Sequence, residues 1–181
     1  VGARAEQGRG ADAGARAAPD FTARGVELKT SPVARDGTPR ESTFVCTAPL
    51  GTIADTEWER SPVRAKLACV LWVPVESDAA LRLADRRFGS PCLWSPSREE
   101  EDDLCADWTE LAGRLALGEA ETLTAHEGRW LQERPKAANS RTRRRGRDRE
   151  GAIASACPKG FYLRTTFTRR IFAQALKQAL A

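Results

Sequence analysis

Pro19-Asp20-Phe21-Thr22-Ala23-Arg24-Gly25-Val26-Glu27-Leu28-Lys29-Thr30 gathers two carboxylates and a lysine around an Arg24-Gly25 turn. Val26 and Leu28 alternate with Glu27 and Lys29, so a strand here sends its apolar pair to one face and its polar pair to the other. Asp20, on the preceding strand or turn, is then placed to converge with Glu27 on one hard cation. Magnesium prefers oxygen ligands and keeps several waters, so one or two carboxylates plus a substrate phosphate complete its shell. Lys29 would hold or activate the attacking water while the cation offsets charge growing on the phosphate. The competing expectation is a solvated strand face with no chemistry.

Composition sharpens the first reading. The chain carries 24 arginines but only five lysines, Lys29, Lys66, Lys136, Lys159 and Lys177. An acid two residues before a lysine occurs once, at Glu27. Arginine is a flat fork that stays protonated, whereas lysine is a compact ammonium whose pKa can fall on burial. Lysines that persist in so arginine-biased a chain are candidates for places where a guanidinium would fail.

Working outward, 181 residues with 41% hydrophobic content suit one domain, with room for two lobes. Trp58, Trp72, Trp94, Trp108 and Trp130 are the large core or cleft residues. A formal charge of +4 permits a nucleic-acid partner. Five cysteines, odd in number and never CxxC, fit free and mostly buried thiols in a reducing cytoplasm. No run approaches the roughly 18 apolar residues of a membrane span, and no signal-peptide core opens the chain. Residues 1–18 are almost wholly Ala, Gly and Arg, which predicts a disordered opening, and the absence of a starting Met favours a fragment of something longer. Residues 19–181 are expected to form the folded domain.

Candidate strands are Val26–Thr30, Thr43–Ala48 and Cys69–Val75, the last an apolar run suited to a central strand covered on both faces. Ser95-Pro96-Ser97 before Glu99, Glu100, Glu101, Asp102 and Asp103 predicts a capped helix start. Leu104, Trp108, Leu111 and Leu115 follow at helical spacing to Gly118. The acid cluster is therefore read as helix chemistry in preference to a metal site. Trp130-Leu131-Gln132 reads as a further strand, and Ile171, Phe172, Leu176 and Leu180 as one face of a closing amphipathic helix that packs on the core.

Eight cations against one acid lie between Arg134 and Arg149, a solvated loop or a track for phosphates. Arg134-Pro135-Lys136 is a rigid turn with two cations, for which base reading, phosphate contact and no contact stay equally open. His126, the sole histidine, has no cysteine at ligand spacing, so zinc is not expected. Neither a P-loop nor GxGxxG is present.

Seven stretches, in order, resemble one family. They are Asp20-Phe21 through Gly25-Val26-Glu27-Leu28-Lys29-Thr30; Thr43-Phe44-Val45-Cys46 with Ala48-Pro49-Leu50; Val63-Arg64 with Lys66-Leu67; and Val70-Leu71-Trp72. Gly89-Ser90-Pro91 with Leu93-Trp94-Ser95-Pro96, Arg134-Pro135-Lys136-Ala137-Ala138-Asn139, and Gly160-Phe161-Tyr162-Leu163 complete the set. Together they span about Asp20 to Thr168 and resemble the MutH family of DNA mismatch-repair endonucleases, within the PD-(D/E)xK superfamily. The resemblance implies an α/β, restriction-endonuclease-like fold: a mixed β-sheet flanked by helices, with a C-terminal amphipathic helix.

It also implies an activity. MutH-like enzymes bind double-stranded DNA at GATC and nick the unmethylated strand 5′ of the G when the site is hemimethylated. They need Mg2+ and are activated by MutL, itself recruited by mismatch-bound MutS. The matching positions make Asp20 and Glu27 metal ligands, assisted by the Leu28 carbonyl, with Lys29 the catalytic lysine and Lys66 a second active-site cation. Arg134 and Lys136 fall on the base-reading loop, Tyr162 near the adenine whose N6-methyl group is sensed, and Phe44 near the DNA cleft. A cytoplasmic monomer is expected.

The departures lie before that stretch and in one loop within it. The family's longer N-terminal arm is absent or replaced by the Ala/Gly/Arg segment, where Glu6 is a candidate for a further family acid without its apolar neighbours. The loop after Asn139 is richer in arginine than the family pattern. Two alternatives follow: a catalytically impaired DNA- or MutL-binding fragment, and a restriction enzyme that cuts GATC in both strands.

Overall fold

A computed structural model of the chain describes residues 18–136, 144–147 and 152–180. In chain order the elements are β1 (Glu27–Val33), β2 (Thr43–Thr47), α1 (Pro62–Leu67), β3 (Val70–Glu76), β4 (Cys92–Trp94), α2 (Arg98–Ala116), β5 (Leu131–Pro135), β6 (Arg144–Arg147), β7 (Ile153–Ala156), β8 (Lys159–Leu163) and α3 (Thr165–Leu180). The expectations for Glu6, for the low-complexity opening up to residue 17 and for the ends of the arginine run fall outside the described residues.

The chain forms two compact units: Val1–Thr43 with Ala65–Pro96 and Arg164–Ala181, and Phe44–Arg64 with Ser97–Leu163. In the first, β1 and β3 pair in parallel from Glu27↔Val70 to Val33↔Glu76, and β4 pairs antiparallel to β3 from Val70↔Trp94 to Trp72↔Cys92. The sheet is mixed, in the order β1-β3-β4, so the apolar run does occupy the central strand. Its Val70, Trp72 and Val73 are fully buried. Pro32, which has no N–H to give a ladder, sits on edge strand β1, where such a residue is tolerated.

Helix α3 lays Phe167 edge-on to Trp94, with centroids 5.8 Å apart, and Phe172 edge-on to Trp72 at 6.0 Å. The expected face is only half right. Phe167, Thr168 and Ile171 are its buried residues, whereas Leu176 and Leu180 are 62% and 80% exposed. The packing face thus belongs to the first half of the helix.

In the second unit α2 begins as its sequence predicts. The Glu100 N–H donates to Ser97 Oγ and the Ser97 N–H donates back to Glu100 Oε2, a reciprocal cap at 3.2 and 3.0 Å. Leu104, Trp108, Leu111 and Leu115 are buried at their helical spacing. Glu99, Glu100 and Glu101 of the acid run lie in the first turn of α2, where they complement the helix dipole. One of its later acids does more. Asp107 accepts the backbone N–H groups of Arg129, Trp130 and Leu131 at 2.7, 2.6 and 2.8 Å, tying the start of β5 to the helix.

The second sheet has the order β2-β8-β5, with β5 and β8 antiparallel from Leu131↔Leu163 to Pro135↔Lys159. Val45, Leu131, Phe161 and Leu163 fill its core. Arg144–Arg147, expected in a loop, forms strand β6 paired antiparallel with β7. His126 is exposed in a turn. All five cysteines are free thiols, but only Cys46 is buried, the others being half-buried. No helix among the described residues is long and apolar enough to cross a membrane.

Candidate active site

The polar face of β1 is closed off from water. After Asp20 the chain makes a 3-10 turn, Thr22–Arg24, and Gly25 ends it at φ 64°, a left-handed conformation that glycine adopts at little cost. Phe21 and Val26 then form an antiparallel bridge, so the chain doubles back and brings Asp20 against the start of β1. There the Leu28 N–H donates to Asp20 Oδ2 at 3.0 Å and the Asp20 N–H donates to Glu27 Oε2 at 3.2 Å. The turn that the sequence placed between the two acids is what makes them converge.

Two lysines complete the cluster. Lys29 Nζ donates to Glu27 Oε1 at 2.6 Å, two residues along the same strand face. Lys66 Nζ, from α1, donates to Glu27 Oε2 at 2.7 Å and lies 3.9 Å from Asp20 Oδ1. Glu27, Lys66 and Asp20 are 2%, 3% and 7% exposed, which rules out the solvated strand face. Two carboxylates and two ammonium groups balance formally. Burying them is tolerable only because each is paired and hydrogen-bonded.

A divalent ion fits this donor set. An ammonium already stands within 4 Å of a carboxylate oxygen from each acid, so positive charge is stabilised between them. Among the described residues these two hard oxygen donors have no third acid, histidine or cysteine beside them, which resembles the sparse protein ligation of magnesium more than a closed zinc or calcium cage.

The second unit gathers the other four sequence candidates on its sheet. Phe44 lies on β2, Tyr162 on β8 and Arg134 on β5, with Lys136 just beyond. The Phe44 and Tyr162 rings meet edge-on, with centroids 5.3 Å apart. They can do so over Gly160, where a Cβ would come within 3.1 Å of Phe44 and 3.2 Å of Tyr162. The Arg134 guanidinium lies 5.7 Å from the Tyr162 centroid, and Lys136 Nζ lies 3.6 Å from the Phe44 centroid. Arg134 and Pro135, expected in a rigid turn, instead end strand β5, and each cation of Arg134-Pro135-Lys136 has its own aromatic partner. Burial pushes the Tyr162 hydroxyl pKa up, only partly opposed by Arg134, so the phenol remains a donor at neutral pH.

One pair was not legible in the sequence. Glu133, beside Arg134, is 1% exposed and accepts from buried Lys159 Nζ at 3.2 Å. Desolvation pushes Glu133 from 4.5 up to about 7, against the pull of Lys159. Its folded pKa is thus raised, so the stability linked to its protonation is full below about 4.5 and lost as pH rises through 7. Lys159→Met removes the cation that holds the Glu133 pKa down, so it should cost about 3 kcal/mol near pH 8, where Glu133 must either keep its charge without a partner or take up a proton on folding, and much less near pH 5. Urea unfolding at the two pH values checks this; an equal loss at both would refute it.

A mixed sheet carrying an acid-x-lysine pair, with a second acid folded back against it, is the arrangement of a restriction-endonuclease-like nuclease. Residues 10–107 match the family model described as DNA mismatch repair enzyme MutH. Proteins named DNA mismatch repair protein MutH from Citrobacter koseri and Yersinia enterocolitica are each 50% identical over 165 residues, 91% of this chain and 72% of theirs. A third, from an Enterobacter species, is 47% identical over 174 residues, 96% of this chain and 76% of its own. The chain belongs to the MutH family, and with it to the endonucleases of DNA mismatch repair.

Proposed function

We propose that the chain is a magnesium-dependent, methylation-sensitive endonuclease that nicks the unmethylated strand of hemimethylated GATC sites. The observation that carries this reading is the convergence of buried Asp20, Glu27 and Lys66 with part-buried Lys29, two carboxylates and two ammonium groups gathered at the start of one strand. Asp20 and Glu27 would hold the magnesium, with the Leu28 carbonyl assisting. When bound, the ion would offset charge building on the scissile phosphate and its leaving oxygen.

Lys29 is assigned the attacking water. Its ammonium sits on the strand face of Glu27 with 13% of its side chain exposed, the least enclosed of the four groups. Lys66 balances the two carboxylates before substrate arrives and stands ready to pair with the phosphate. Arg134 and Lys136 are assigned to base edges, where a cation pairs with guanine O6 and N7. Tyr162 is assigned to the adenine that carries or lacks the methyl group, and Phe44 to the wall of the DNA cleft. Activation would come from MutL, recruited through MutS, on chromosomal DNA in the bacterial cytoplasm, with the chain acting as a monomer.

The test is strand-resolved nicking of a hemimethylated GATC duplex with magnesium and ATP-bound MutL. Nicks confined to the unmethylated strand are expected. Double-strand cutting of unmethylated DNA without MutL would replace this reading with that of a restriction enzyme, and binding without nicking would leave a binding protein. In the same assay Tyr162→Ala should reduce the preference for the unmethylated strand by about tenfold, the scale of one lost base contact. An unchanged preference would remove Tyr162 from methyl sensing.

A further inference from the structure

Lysine is a poor reader of bases unless something fixes it, because its charge rides on a flexible four-carbon stem. Lys136 is fixed at both ends. Its backbone N–H donates to the Pro158 carbonyl at 2.8 Å, just past the last rung of the β5–β8 ladder. Its ammonium lies 3.6 Å from the Phe44 centroid and donates to Thr47 Oγ1 at 2.9 Å. The ring face attracts the charge without assigning it a direction. The hydroxyl lone pair does give it one.

Thr47 closes β2 and is half-buried. The two residues are far apart in sequence, and their contact exists because β8 lies between β2 and β5. Beyond the ladder, the Ala48 N–H donates to the Lys159 carbonyl at 2.9 Å, tethering the chain just after Thr47 to the start of β8. Pro158 and Lys159 are consecutive, so one short stretch of backbone anchors both the lysine and its hydroxyl partner.

We infer that Thr47 is a positioning residue for sequence recognition: its hydroxyl aims the Lys136 ammonium at the base edge that Lys136 reads. This deepens the assignment of Lys136 to base reading and rests on it. An ammonium has three N–H donors. The Thr47 bond commits one of them and so limits the rotation of the others. Without the hydroxyl, Lys136 would keep its attraction to DNA but lose its aim, and affinity for GATC would fall toward affinity for any duplex.

The experiment measures equilibrium binding, by fluorescence anisotropy at one fixed salt concentration, to a GATC duplex and to duplexes with one changed base pair. Thr47→Val keeps the shape and removes the hydroxyl; it should lower the specificity ratio by about tenfold, within the range of one good base contact. Thr47→Ser keeps the hydroxyl and should restore most of the ratio. In a Lys136→Ala background, Thr47→Val should add almost nothing, because a residue acting through another shows full coupling with it.

Equal losses for Val and Ser, or a full additional loss in the Lys136→Ala background, would show a structural effect of Thr47 and overturn the inference. An intact ratio in Thr47→Val beside a reduced one in Lys136→Ala would overturn it while sparing the base-reading assignment. An intact ratio in Lys136→Ala would overturn that assignment first, and the role of Thr47 with it. If Thr47→Val fails to fold, the Ser variant paired with Thr47→Ala supplies the same comparison.

Discussion

Glu27→Ala is expected to abolish strand nicking, with a loss of at least about a thousandfold, or about 4 kcal/mol of transition-state stabilisation. Both oxygens of this carboxylate are engaged, one by Lys29 at 2.6 Å and the other by Lys66 at 2.7 Å. It also receives the Asp20 N–H, so one side chain organises every other member of the cluster. Removing it takes away an assigned metal ligand and the partner of both lysines together. DNA binding should stay close to wild type, because the assigned reading residues belong to the other compact unit. The check is single-turnover nicking beside equilibrium binding, with Glu27→Gln as a control that keeps the volume. Nicking at the wild-type rate would sink the active-site assignment. A parallel collapse of binding would point to unfolding in place of lost chemistry.

Lys66→Met should give the largest stability effect. It leaves Glu27 and Asp20, 2% and 7% exposed, without the ammonium between them. Removing one partner of a buried ion pair costs about 3–5 kcal/mol, because the remaining charge keeps its desolvation penalty. Urea unfolding in EDTA should show that loss. Millimolar magnesium should then stabilise the variant more than wild type, since an ion that binds only the folded state raises its stability by mass action. Here the incoming ion also meets no competing ammonium. A variant as stable as wild type in EDTA, or one that magnesium does not help, would contradict the idea that Lys66 holds the place of a cation.

The parts of this molecule that were readable are those whose cause is local. The alternation of Val26-Glu27-Leu28-Lys29 made β1 visible, and the scarcity of lysine singled out the acid pair beside it. The apolar run at Val70–Val75 implied a central strand and occupies one. Serine before a run of acids announced α2, since caps and helix dipoles act within a few residues.

What stayed hidden is non-local. Strand β8, Lys-Gly-Phe-Tyr-Leu, owes its place to neighbours on both sides and has no period of its own. Short β4 and β7 and the six-residue helix α1 likewise lacked the length to show a pattern. No motif singled out Asp107, whose three N–H partners lie 22 to 24 residues away. The closing helix misled in the opposite sense: its apolar spacing runs past the surface it packs on, leaving Leu176 and Leu180 exposed. Arg134 and Lys136 were joined by adjacency, but Phe44 and Tyr162 were connected with them beforehand only through family resemblance. Nothing in their spacing says that two rings and two cations will meet.

Asp20, Glu27, Lys29 and Lys66 fall in one compact unit, while Phe44, Thr47, Arg134, Lys136 and Tyr162 fall in the other. On the proposed roles, a lineage drifting toward a different target word would accumulate its changes in the second set and leave the first untouched. The same partition would then make the chain a scaffold for retargeting. A library randomised at those five positions would explore new recognition sequences while every clone kept the four residues assigned to hydrolysis.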